Sequence, residues 1–392
     1  MKTKSQITML MIVGLVIFIV VSLVLYLSKS TIKKQGQQTI KKTQETEIDI
    51  QPIKEFVTKC LDKLAKDAVV LSGEQGGYIY SSQGGTLVDY TETDEGLFFI
   101  KYNNLNVAYN ILPPKFVVPP YSSEIPDYPW QTFPYRTVTS NAEIFDGFFG
   151  INNIPPLNSS EGPNSLQVQI EAFIDNNLAS CADFSIFEKQ GYSIAMQPSK
   201  TSVIIGSGDV SVTSKIPITI TNQATKEFAE LNDFSTNLNI RLRDFYFFAK
   251  ELIDNDIKNI KFDIKSANNS KDFINIKLIK NIFSNDDLVI ISDEKSLIYG
   301  KPFEYIFSRR NRAPALNYIR KNTLQFPQGF IINIGNLLTN QELKAEDPDE
   351  DNYTFTITPA LPKNLDTPQI KFKVEVSDGQ FSDYQFIIVD RK

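Results

Sequence analysis

The sequence contains no histidine. That absence excludes Ser-His and Cys-His catalytic arrangements, the imidazole pH switch and every histidine-ligated zinc or iron site. Carboxylate-only chemistry, such as the paired Asp and Glu of glycosidases, passes this filter, but 46 acidic residues in one sequence do not sort themselves into pairs. The body of the chain also lacks a long basic stripe and the formal charge is −6, which excludes a phosphate-tracking nucleic-acid binder. Tryptophan occurs once and cysteine only twice. What is present is ordinary globular material, 42% hydrophobic and 22% charged over 392 positions, enough for two or three cores.

One uncharged run stands apart. Ile7 to Leu27, "ITMLMIVGLVIFIVVSLVLYL", is apolar apart from Thr8, Gly14, Ser22 and Tyr26. At about 1.5 Å per residue it covers roughly the 30 Å hydrocarbon core of a bilayer. The run predicts a transmembrane helix over 7–27, since a cleaved signal peptide has a shorter apolar stretch and a small-x-small cleavage site. Residues 1–6 then form a short tail. Residues 28–50, polar and lysine-paired, read as a stalk or as a basic patch for anionic headgroups. Lys29, Lys33, Lys34, Lys41 and Lys42 outnumber Lys2 and Lys4, so charge count alone would put the bulk of the chain in the cytoplasm. Three other features place it outside: a possible disulfide, an extracellular type of β-domain and N-x-S/T sequons at Asn158, Asn268 and Asn352.

Two stretches carry one cysteine each at helical spacing. "QPIKEFVTKCLDKLAKDAVVL" has Ile53, Phe56, Val57, Cys60, Leu61, Leu64, Ala65 and Ala68 on one face, with Pro52 in the first turn. "NSLQVQIEAFIDNNLASC" repeats the pattern through Ile170, Phe173, Ile174, Leu178 and Cys181, with Asn164 or Ser165 as the cap. Cys60 and Cys181 both face inward, as a disulfide if the domain is outside or as two buried thiols if it is not. A Gly-Tyr strand start follows each helix, at 75–82 and 190–197, which suggests a weak internal repeat.

From Ile111 to Pro156 lie nine of the chain's twenty prolines among many aromatic rings. Such a stretch forms neither a long helix nor a central strand. Its rings either cover a core or present a binding surface, and in the second case Tyr128, Trp130 and Tyr135 are the candidate contacts. Beyond it, "TSVIIGSGDVSVTSKIPITITN" alternates like antiparallel strands around a GSGD turn. Leu238, Leu242, Phe245, Phe248, Leu252 and Ile257 form a helical packing stripe, and strands are expected at "IKFDIK", "FINIKLI", "DLVIISD" and "KPFEYIF". Residues 51–310 are therefore expected to be an α+β domain, with helices on a mainly antiparallel sheet.

The order of anchor, "PIKEFVTKCL", "GEQGGYI", second cysteine helix and "DLVIISDEKSLIYGKPFEYIFSRRNRAPAL" resembles single-pass surface proteins of small-genome archaea. The resemblance implies location and architecture, and no activity. "KSQITML" also resembles the processing site of archaeal type IV pilins, with the cut between Ser5 and Gln6, although Leu10 stands where those pilins carry an acid.

In residues 312–392, "AEDPDEDNYTFTI" followed by "KFKVEVSDGQFSDYQFIIV" resembles cadherin-like and bacterial Ig-like repeats. That resemblance implies an all-β sandwich, and Asp347, Asp349, Asp351 and Asp378 fall on the repeat's acidic positions. Converging carboxylates suit Ca²⁺, a hard ion that takes six to eight oxygens, although a solvated acidic turn would read the same way. The expected function is that of a cell-membrane protein with its bulk outside. It would bind a surface protein or glycan, or act as a spacer. A pilin-like subunit and a carboxylate-dependent surface hydrolase are the alternatives.

Overall fold

The computed structural model describes residues 49–113, 149–269, 273–316, 323–326, 343–358 and 369–391. The predicted anchor at 7–27, nearly all of the stalk, and Tyr128, Trp130 and Tyr135 lie outside them. Among the described residues no helix is long and apolar enough to cross a membrane. The chain combines helices with mixed sheets and ends in all-β strands, and it divides into two compact units.

The first unit takes in residues up to Asp62, Leu178–Ser202 and Val212–Thr236. Helix α1 (Gln51–Glu74) starts here, its first amide held by the Asp49 carboxylate at 3.1 Å. The predicted inward face of α1 is buried at Ile53, Val57 and Cys60. Phe56 meets Phe184 and Phe187 edge-on, with centroids 6.0 and 5.5 Å away. Phe184 precedes α3 (Ser185–Glu188), which contains Phe187. Cys60 is bonded to Cys181, the last residue of α2 (Leu166–Cys181), with Cα atoms 6.0 Å apart. Strands β4 (Tyr192–Met196), β5 (Lys200–Ile205) and β7 (Phe228–Leu238) all pair with the long β6 (Val210–Asn222). Alternation in β6 buries Val212, Ile216, Ile218 and Ile220 while Lys215 and Thr219 stay exposed, as a period of two requires.

The second unit holds Lys63–Asn177, Val203–Ser211 and Asn237–Lys392. Its largest sheet runs β1 (Phe99–Tyr102), β2 (Leu105–Leu112), β10 (Lys301–Arg309), β9 (Asp286–Ile298), β8 (Ile274–Phe283), with β3 (Ile151–Asn152) on β2. Most neighbours are antiparallel, as expected, but β10 and β2 are parallel. β3 returns to β2 through Ile111–Asn152 and Leu112–Ile151 pairs, so the chain leaves and re-enters the sheet at one place. Helix α4 (Leu242–Lys258) buries Leu242, Phe245, Phe248, Leu252 and Ile257 of the predicted stripe, and Phe245 lies 5.3 Å from Phe303 of β10. Leu238, expected in the same helix, is instead the buried last residue of β7, because the helix begins only at Leu242.

The C-terminal strands are β11 (Ala315–Leu316), β12 (Thr323–Phe326), β13 (Ala345–Glu346), β14 (Thr354–Thr358), β15 (Gln369–Ser377) and β16 (Ser382–Arg391). They form a sheet ordered β12-β16-β15-β14 and a separate β11-β13 pair. Phe372, Val374, Val376, Ile387 and Val389 pack with Ala315, Leu316 and Ala345, and also with Phe149 and Ile260 from earlier in the chain. Residues on both sides of 310–312 belong to this unit.

Two expected strands are absent. At 75–82 the backbone turns instead: Ile79 N donates to Gln169 Oε1 at 2.6 Å and Tyr80 N to Gln83 Oε1 at 3.0 Å, so side chains satisfy amides that a strand partner would take. Only the second of the two helix-then-strand units is therefore realised, by β4. At 260–265 a turn leads into a 3₁₀ helix over Ile264–Asn269, with Ile260 and Ile264 buried individually.

Candidate functional site

The acidic turn after β13 is the best-defined cluster of charge in the second unit. Asp347 organises it: its Oδ1 accepts from the amides of Asp349 at 2.8 Å and Asp351 at 3.1 Å, folding the carboxylates around one backbone loop. Glu350 completes the turn at φ 59°. Asp347 and Asp349 are buried, while Glu350 points outward.

Two arginines reach Asp349 from the end of β10. Arg312 donates Nη2 and Nε to Asp349 Oδ1 at 2.7 and 3.1 Å, and its own backbone N to Oδ2 at 2.7 Å. It also donates to Pro348 O at 2.9 Å and Phe149 O at 3.0 Å. Arg309 donates to Asp256 of α4 at 2.9 Å and to Asp287 of β9 at 2.6 Å. Arg309 Nε also lies 3.1 Å from Asp349 Oδ1, and Arg312 Nη2 2.8 Å from Asp256 Oδ2. Neither of these two is aligned as a hydrogen bond, so they act as charge contacts alone. All five side chains are 2% exposed or less.

Lys280 of β8 supplies a third cation. Its ammonium donates to the Asp349 carbonyl and lies 3.5 Å from Asp351 Oδ1. A small polar cleft beside it is lined by Asn281, Asn285, Glu350, Asp351, Asn352 and Asp378. The turn between β15 and β16 joins the cluster through Asn311, which donates to Asp378 Oδ2 at 2.9 Å while Asp378 Oδ1 receives the amides of Gln380 and Phe381. Asp286 accepts from the Asn311 amide at 2.8 Å and from the Tyr109 hydroxyl.

Burial separates these carboxyls. Burial alone would raise Asp349, but the charges of Arg312 and Arg309 outweigh it and hold the group below the usual carboxylate range. Asp347, buried and facing the charges of Asp349 and Asp351, is pushed up to about 7. Burial also raises Asp286 and Asp351. Burial opposes the charge of Arg309 and Arg312, yet the surrounding aspartates raise both above the ordinary guanidinium value.

The fit to Ca²⁺ follows from these contacts. Both oxygens of Asp349 face a guanidinium, and a divalent ion 4 Å from a unit positive charge meets about 8 kcal/mol of repulsion at an effective dielectric constant of 20. Asp378 is turned toward its own loop and Asn311. Two buried oxygens, Asp347 Oδ2 and Asp351 Oδ2, lack a hydrogen-bond partner, far short of six to eight ligands. Among the described residues no three acidic or cysteine side chains are grouped to hold a metal. The turn, as it is folded, does not fit the ion.

A second concavity lies elsewhere in the unit, lined by Tyr78, Tyr90, Leu97, Phe98, Asn153 and Pro155 among others. Tyr90 and Phe98 stack with centroids 4.7 Å apart, and burial raises Tyr78 to about 12, so its hydroxyl stays protonated and donates to Asn153 O at 2.9 Å.

Of the residues singled out in the sequence, Cys60 and Cys181 are joined. Asp347, Asp349 and Asp351 share one turn, and Asp378 is brought near them through Asn311. Arg309, Arg312, Lys280, Asp256 and Asp287 were not anticipated. The one signal for them was "SRRNR", charged residues at the end of an otherwise apolar strand. Compared with protein families and with curated proteins, the chain matches none.

Proposed function

We propose that this chain is a single-pass cell-envelope protein whose folded part lies outside the membrane and acts by binding or spacing. The observation that carries the reading is the Cys60–Cys181 bond, because such bonds form and persist in oxidising compartments and are rare in the cytosol. The apolar run at 7–27 would serve as the anchor. We read the C-terminal strands as the cadherin-like or Ig-like sandwich, supported by the antiparallel β14-β15-β16 arrangement with the Ser-Asp-Gly turn between β15 and β16. A non-enzymatic role is supported by the state of the grouped aspartates: Asp256, Asp287 and Asp349 are sealed from solvent and paired with Arg309 and Arg312. Tyr128, Trp130 and Tyr135 remain the candidate contacts for a surface protein or glycan.

The test is the mass of the peptide pair containing Cys60 and Cys181, taken from native membranes with thiols blocked at lysis. A linked pair is expected. Two blocked thiols would sink the exterior location. The "KSQITML" stretch keeps a pilin-like subunit as the second reading, and an intact Met1 in the isolated protein counts against it.

A further inference from the structure

We infer that the acidic turn is held by the chain's own cations, Arg309, Arg312 and Lys280, and that it joins the C-terminal strands to the rest of their unit without calcium. The three cations come from elements that precede the turn or lead into it. Arg309 ends β10, Arg312 follows it, and Lys280 lies in β8. Their other contacts, Asp256 in α4 and Asp287 in β9, belong to the same framework.

Each cation stands against an oxygen of the turn that an ion would otherwise take. Arg312 covers both Asp349 oxygens, Arg309 lies against the Asp349 carbonyl at 3.3 Å, and Lys280 stands between that carbonyl and Asp351. The positive charge that meets these carboxylates is covalently tethered. Tethering removes the concentration dependence of a free ion, since no ligand is released when the turn opens. The buried pairs are also poorly screened, so moderate salt should not loosen them.

The experiment uses the full chain in detergent. Thermal unfolding is followed in chelator and in millimolar CaCl₂, with equilibrium dialysis against radioactive calcium, for the wild type and for Lys280→Gln. The wild type should unfold at the same midpoint in both buffers and retain no stoichiometric calcium. A midpoint raised by several degrees in calcium, with one bound equivalent that Asp349→Asn abolishes, would overturn the inference. Lys280→Gln takes the tethered charge out of the cleft and should raise calcium retention at least tenfold. Retention equal to that of the wild type would show that Lys280 does not hold the cation's place. The wild-type measurement stands whether or not the variant folds well.

Discussion

Arg312 binds Asp349 through both its side chain and its own backbone amide, closing a contact across 37 residues in which neither group meets solvent. The pair therefore behaves as one buried unit.

Removing either member leaves the other charged and buried. Arg312→Met or Asp349→Asn should each destabilise by about 3–5 kcal/mol, whereas an apolar double replacement of similar volume should recover most of that loss. Urea unfolding of the two single variants and the double variant measures the coupling. Additive losses would mean that the two groups act independently.

Asp347 gives stability a pH dependence of unusual sign. Its carboxyl is raised to about 7 from an ordinary 3.8, so between those values the folded state holds more protons than the unfolded one. Stability from this group is present at low pH and declines as pH rises toward 7, by at most a few kcal/mol at about 1.4 kcal/mol per unit. Asp349, held low, acts in the opposite sense and loses its contribution only in stronger acid. Asp347→Asn should flatten the decline between about pH 5 and 7 in a denaturation series. An unchanged slope would assign the decline to other groups.

Reduction should be costly. The Cys60–Cys181 bond spans a sequence separation of 121, and closing a loop of that order stabilises by about 5 kcal/mol in the chain-entropy model. Chemical denaturation with and without reductant should show a lowered midpoint, and paired Ser substitutions should reproduce it.

Gln169 is a buried clamp: it accepts from Ile79 N and donates to the carbonyls of Gly77 and Asn164. Gln169→Leu preserves volume but strands those backbone groups, and should destabilise by about 1–3 kcal/mol or more. Amide exchange at Ile79 reads the loss directly.

These contacts also show what was legible in the sequence. Helix α1, helix α4 and the β5–β6 strands were readable because their signals are local and periodic: Leu61, Leu64 and Ala65 recur at helical spacing, and Ile216, Ile218 and Ile220 alternate. The acidic turn was visible because its carboxylates are contiguous. The groups around it were not: Lys280 reaches it from a separate strand, and Asp256 and Asp287, which hold Arg309, come from two further elements, and none of the three stands out beside its neighbours. The strand expected at 75–82 failed for a related reason. Gln169, some ninety residues away, takes the Ile79 amide, and nothing near Ile79 announces it.

The two rungs that join β2 to β3 fix the distance between Leu112 and Ile151 whatever the intervening residues do. Closure entropy rises only with the logarithm of loop length, about 0.6 kcal/mol per doubling. A change in the number of residues between those rungs should therefore cost the pairing of β2 with β3 little.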